Sequence, residues 1–197
     1  MPIQPSIETN RLILRLPTPA DAPAIQAIAS LREIADTMIS IPHPYPDSEA
    51  ARYIDRQLRE NELGHSRTFV IECKSQQKLR GIIEIRDIEI EHSQAELSFW
   101  LAVEVWGRGY MSEALKPVIN VGFQDLGLNR LYAYHMERNL GSGKVLAKNG
   151  FSQEGILRQR VRKWGVFENT VLWAILRSDW QMKTLDPEFT SIARPNH

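Results

Sequence analysis

The chain has 197 residues, enough for one domain with a sizeable core and too few for two ordinary ones, and its 43% hydrophobic and 24% charged residues are those of a soluble globular protein. Its 24 basic and 24 acidic residues cancel, which argues against a nucleic-acid or membrane-surface protein driven by bulk charge. No apolar run approaches the roughly 18 to 20 residues that span a bilayer. The opening MPIQPSIETN lacks a secretory signal pattern, and the single Cys73 excludes an internal disulfide, so a cytoplasmic protein is expected.

Residues 11–16, RLILRL, alternate apolar and basic and predict a half-buried strand. In TPADAPAIQAIASL, Thr18 is a candidate N-cap, Pro19 takes the first helical position and Asp21 lies in the first turn. Ala24, Ile25, Ile28 and Leu31 then recur at helical spacing. The three prolines of IPHPYPDSEA demand a loop, after which Asp47 reads as the cap of a second helix striped by Ala50, Ile54 and Leu58. Strands follow at 68–73 and 79–91. In the longer one Ile83 and Ile85 share a face and Ile88 and Ile90 take the other, which predicts a bend or bulge at Arg86 and Asp87.

Residues 95–103 alternate again, with Leu97, Phe99 and Leu101 on one face and Glu96, Ser98 and Trp100 on the other. WGRGYMSEAL opens a helix that runs to about Leu126 and stops at Gly127. A strand at 131–136, a short helix capped by Asn139 and ending at Gly150, and a hairpin of 151–162 with 167–176 complete one mixed α/β domain over residues 1–180. A polar tail is expected over 181–197. Gly141 and Gly143 inside the short helix predict a late or loosened start, because each such glycine costs about 1 kcal/mol against alanine.

The segment with chemical content is the strand at 95–103, the glycines Gly107 and Gly109, and the helix behind them. A helix start leaves about four N–H groups without intrahelical partners at the positive end of the macrodipole. Glycines let a ligand approach the backbone closely, so the unit is a candidate pyrophosphate cradle. Ser112 stands where a dinucleotide fingerprint needs its third glycine, and the Gly-Lys-Ser/Thr end of a Walker loop is absent. The histidines (His43, His65, His92, His135 and His197) show no paired metal spacing and Cys73 no CxxC partner, so no metal is expected. RQRVRKWG, at 158–165, reads as an exposed basic strand face, or as a surface for docking an acidic or ribosomal partner.

Four segments, in order, resemble the GCN5-related N-acetyltransferases (GNAT), particularly their RimJ/RimL-like branch, which modifies ribosomal-protein N-termini. They are ETNRLILR, AELSFWLAVEVWGRGYMSEAL, Asn139-Leu140-Gly141-Ser142 and Lys148-Asn149-Gly150-Phe151, and the resemblance covers about residues 8 to 178. The resemblance implies an α+β fold, with a mixed, mostly antiparallel sheet whose fourth and fifth strands run parallel and splay apart between flanking helices. Pantetheine of acetyl-CoA would enter that gap beside Leu101 and Val103. The pyrophosphate would meet the N–H groups of Arg108, Gly109, Tyr110, Met111 and Ser112, with the Arg108 side chain adding charge. Met111 departs from the family's Gly/Ala at that place and must turn inward.

Asn139 would bond the pantetheine region or simply cap its helix. Ser142 would donate to the departing thiolate, since the family's tyrosine is replaced by Leu146. Glu96 is the first candidate base and Glu168 the second, and proton removal through water is the alternative. The reaction implied is direct attack of a primary amine on acetyl-CoA in a ternary complex. The acceptor implied is a protein N-terminal α-amine, with a small amine, or a non-catalytic acyl-CoA-binding domain, as alternatives. Tyr45 and Trp164 are candidates for the acceptor pocket, and a homodimer is compatible with the family.

Overall fold

A computed structural model describes residues 6–184. Its strands are β1 (Ile7–Glu8), β2 (Leu12–Arg15), β3 (Arg67–Cys73), β4 (Lys78–Glu89), β5 (Gln94–Leu101), β6 (Arg130–Met136), β7 (Ser152–Lys163) and β8 (Val166–Leu176). They form one sheet in the order β1-β2-β3-β4-β5-β6-β8-β7. All neighbours are antiparallel except β5 and β6. The short β1 makes the expected fourth and fifth strands β5 and β6.

The helices are α1 (Ala22–Ala29), α2 (Arg32–Thr37), α3 (Glu49–Leu63), α4 (Tyr110–Asn120), α5 (Leu140–Lys148) and α6 (Arg177–Thr184). They cover both faces of the sheet because its strands are apolar on both. Leu97 and Ala95 join α4 residues Met111, Ala114, Leu115 and Val118 in the larger core. Ile82, Val70 and Trp100 pack on the opposite face against Ile25, Ala50 and Ile54 of α1 and α3. Burial on this scale stabilises at about 25 cal/mol per Å2 of apolar surface.

The predicted bulge is present: the β4–β5 register shifts between Arg86 and Glu89, and Asp87 has φ 50°. Some boundaries differ from expectation. Leu31 is not the end of a long first helix, since its extended backbone separates α1 from α2. Asp47 does not cap α3; the helix follows Ser48, whose φ is 62°, and the Asp47 carbonyl instead accepts from Arg52 at 3.2 Å. The helix predicted through Leu126 is α-helical only to Asn120, with Pro117 inside that part, and then widens into a π-turn at Val121–Asp125. Of the tail expected over 181–197, residues 181–184 belong to α6 and the rest lie outside the described residues. No described helix is long and apolar enough to cross a membrane.

Candidate active site

β5 and β6 pair only at Gln94, Ala95 and Glu96, matched to Arg130, Leu131 and Tyr132. Beyond Glu96 the strands separate, and a cavity of about 380 Å3 lies in the gap. One wall is Phe99, Trp100 and Leu101 of β5, another is the loop from Val105 to the start of α4, and the third is Asn139, Gly141, Ser142, Lys144, Val145 and Lys148 of α5. Trp106 fixes the first wall to the second by donating its indole N–H to the Leu101 carbonyl at 2.7 Å.

The loop's geometry follows from its glycines. Gly107 and Gly109 have φ 73° and 77°, where a side chain is strained, and a Cβ on Gly107 would meet nothing within 4 Å. The N–H groups of Gly109, Tyr110, Met111 and Ser112 have no acceptor among the described residues, and the helical ladder begins with Glu113 N–H on Gly109 O at 3.1 Å. The Arg108 N–H, by contrast, is directed at Val105 O at 3.4 Å. Four free donors at a helix start, beside a glycine cradle, fit a diphosphate. Met111 is 4% exposed and packs into the core, so its side chain has turned inward as required.

On α5, the Asn139 side-chain oxygen accepts from Ser142 N–H at 3.2 Å, and its amide donates to Thr37 O at 3.3 Å. Asn139 therefore caps the helix and ties it to the last residue of α2. The helix begins directly at Leu140 despite its glycines. Gly143 has a reason to be there: a Cβ would stand 3.0 Å from His135 Nε2. His135 is fixed on both sides, its Nδ1 donating to Met136 O at 2.8 Å and its Nε2 accepting from Trp173 at 2.9 Å. This places its proton on Nδ1.

A smaller hollow of about 30 Å3 adjoins the cavity, with Thr37, Met38, Phe99 and Ser142 facing both. Glu96 lies in it, with a side chain only 14% exposed and ion-paired to Arg86. On this face of β5, Glu96 and Ser98 thus border the hollow with residues 37–40, and Trp100 packs against α1 and α3. Behind Glu96 is a second carboxylate that sequence reasoning missed. Glu84 is buried, accepts a short hydrogen bond from Tyr53 of α3, and is pushed above the usual carboxylate range by burial, against the pull of the Tyr53 hydroxyl and Arg86.

The rim on this side is tied by the β7–β8 hairpin. Lys163 Nζ donates to Met38 O at 2.8 Å and Ile41 O at 2.6 Å, and burial pushes its ammonium below the ordinary lysine value. Trp164 lies under the Arg32 guanidinium and beside His43.

Of the sequence candidates, Leu101, Gly109, Tyr110, Met111, Ser112, Asn139 and Ser142 line the main cavity, and Glu96 and Ser142 line the adjoining hollow. Val103, in the turn Val103–Val105, and the exposed Arg108 side chain do not. Glu168 lines a third, separate hollow with Glu137 and Arg138, and accepts from Arg138 Nε at 2.9 Å. Lys144 and Lys148, missed as site residues, face the cavity; their four-residue spacing on a helix capped by Asn139 was the available signal. Among the described residues no group of three or more His, Cys, Asp or Glu side chains is placed to hold a metal.

A gap between splayed strands beside a helix start with free N–H groups suits a ligand with a long arm and a diphosphate, as acyl-coenzyme A has. A family model described as acetyltransferase (GNAT) domain matches residues 11–152, and the chain belongs to that family as an acetyl-CoA-dependent N-acetyltransferase. Its relatives include a Bacillus subtilis (strain 168) protein described as uncharacterized N-acetyltransferase YoaA, 32% identical over 178 residues, which are 88% of this chain and 97% of that one. Among solved structures, ribosomal-protein-S5-alanine acetyltransferase of Vibrio fischeri matches with a TM-score of 0.80 at 24% identity, over 90% of this chain and 99% of that one. Spermidine N-acetyltransferase of Vibrio cholerae, in complex with CoA and spermine, matches with a TM-score of 0.77 at 22% identity, over 88% and 99%. The resemblance to the RimJ/RimL-like branch stands.

Proposed function

We propose that the protein moves an acetyl group from acetyl-CoA to a protein N-terminal α-amine by direct attack in a ternary complex. The observation that carries the choice of acceptor is the scarcity of acid in the cleft. Among the described residues Glu96 is the one carboxylate lining the cavity and its adjoining hollow, and it is already paired with Arg86. A polyamine brings several ammonium groups and needs several acids to hold them, whereas a chain terminus brings one.

In this reading the N–H groups of Gly109 to Ser112 hold the diphosphate, and Lys144 and Lys148 add positive charge along the same cavity. A free amine is mostly protonated at neutral pH, so a proton must leave before or during attack. Glu96 takes it, with Arg86 holding the carboxylate in place. The amine nitrogen bonds the thioester carbon, and the tetrahedral intermediate expels the thiolate of CoA. Ser142, which faces both hollows, supplies the hydroxyl nearest the departing sulfur. Glu168 has no part in this scheme, because its hollow is separate.

The test is a free-thiol assay with acetyl-CoA against N-terminal peptides, spermidine and small monoamines. Turnover is expected on peptides and not on spermidine. Glu96→Gln should lower kcat about a hundredfold, as loss of a general base does, and Ser142→Ala about tenfold, both with the acetyl-CoA KM nearly unchanged. Preference for spermidine would overturn the choice of acceptor, and tight CoA binding without turnover on any amine would leave a binding domain instead.

A further inference from the structure

Glu113 lies in the first turn of α4, just past the amides assigned to the diphosphate, where an uncompensated carboxylate would repel that group. It is fully engaged from the chain's N-terminal turn. Thr9 Oγ1 donates to Oε1 at 2.6 Å, the Arg11 backbone N–H to the same oxygen at 2.8 Å, and Arg11 Nε to Oε2 at 2.6 Å. Burial pushes the Glu113 carboxyl up, but these hydrogen bonds and the Arg11 charge outweigh it and hold it below its ordinary value.

Arg11 then reaches further. Its Nη1 donates to the Arg108 carbonyl at 3.0 Å, its guanidinium lies 4.5 Å from the Tyr110 ring centroid, and a Cβ on Gly109 would stand 3.6 Å from its Nη2. The peptide between Arg108 and Gly109 is planar, and in a trans peptide the C=O and N–H point in opposite directions. An anchor on the Arg108 carbonyl therefore aims the Gly109 N–H the other way, and Gly109 lines the cavity.

We propose that the Thr9–Arg11 turn is a positioning element for the acyl donor's diphosphate: Arg11 cancels the charge of Glu113 and, through the Arg108 carbonyl, orients the first amide of the cradle. This rests on the diphosphate site proposed above. Arg11 touches the loop and not the ligand, so its removal should weaken use of donors that carry a diphosphate and leave others alone.

The experiment compares kcat/KM for acetyl-CoA with that for S-acetyl-pantetheine, which lacks the diphosphate, in the wild type, Arg11→Ala, Arg11→Lys and Arg11→Ala/Glu113→Gln. In Arg11→Ala the acetyl-CoA KM should rise about tenfold, equivalent to roughly 1.4 kcal/mol. Its kcat, its acceptor KM and its S-acetyl-pantetheine efficiency should stay within about twofold. Arg11→Lys, which keeps the charge without the fork, should fall between, and it carries the test if Arg11→Ala does not fold. Arg11→Ala/Glu113→Gln should recover part of the loss, which a merely structural role would not produce. Equal losses on both donors, or no loss on either, would overturn the proposal. A wild type that uses both donors equally well would overturn the diphosphate site as well, whereas full discrimination kept in Arg11→Ala and Arg11→Lys would overturn this proposal alone.

Discussion

The half of the cleft proposed for the donor is built largely from sequence neighbours: β5, the glycine loop and the first turn of α4 are one run of chain over 99–112, with α5 opposite and Arg11 behind. The half proposed for the acceptor is gathered from distant segments, with residues 37–40, Arg86, Glu96, Tyr134 and His135 around one small hollow and Lys163 tying its rim. In the proposed reading a local motif holds the diphosphate. The acceptor, in contrast, depends on how loops and a hairpin meet, and so one fold can serve different amines while its donor site stays put.

The contrast gives an order of effects. Gly109→Asp places a carboxylate at φ 77° in the middle of the cradle, and should weaken CoA binding by roughly a hundredfold, about 2.7 kcal/mol. The readout is loss of the CoA-induced rise in melting temperature, with the fold kept by circular dichroism. Lys163→Met acts on the other half. It strips the Met38 and Ile41 carbonyls of their donor, which should cost about 1–3 kcal/mol in urea unfolding. The acceptor KM should rise several-fold while the acetyl-CoA KM holds. If both constants move together, the two halves are not separable.

The smallest effect is in pH. Burial raises the Glu84 carboxyl, so its contribution to stability is full below the unfolded value and lost as pH rises through the folded one. Glu113 has the opposite sign, because its lowered carboxyl contributes above the unfolded value and loses that contribution as pH falls through the folded one. Urea midpoints between about pH 3 and 7 should therefore show Glu84→Gln flattening the higher-pH side of the profile and Glu113→Gln the acid side.

What was legible in the sequence divides along the same line. The GxG between a strand and a helix, the inward Met111 and the Asn139 cap are local patterns of spacing, and each has its counterpart in the structure. The bulge near Asp87 was legible because a phase slip in Ile83, Ile85, Ile88 and Ile90 records it. The pairing of Glu84 with Tyr53, the bonds from Lys163 to residues 38 and 41, and the seat of Glu168 beside Arg138 join residues 30 or more apart in sequence. Strand register and helix packing decide those, and no short motif carries them. Gly143 looked like a weak point in a helix for the same reason: its neighbour His135 is on another element. Tyr45 and Trp164 remain on the loop and hairpin tip that frame the acceptor side without lining either hollow of the site.

The most direct test of the central claim is a crystal structure with acetyl-CoA bound. The diphosphate oxygens are predicted to accept hydrogen bonds from the N–H groups of Gly109, Tyr110, Met111 and Ser112, with pantetheine running between β5 and β6 toward Ser142. A diphosphate held elsewhere, with those four amides facing water or protein, would contradict the account.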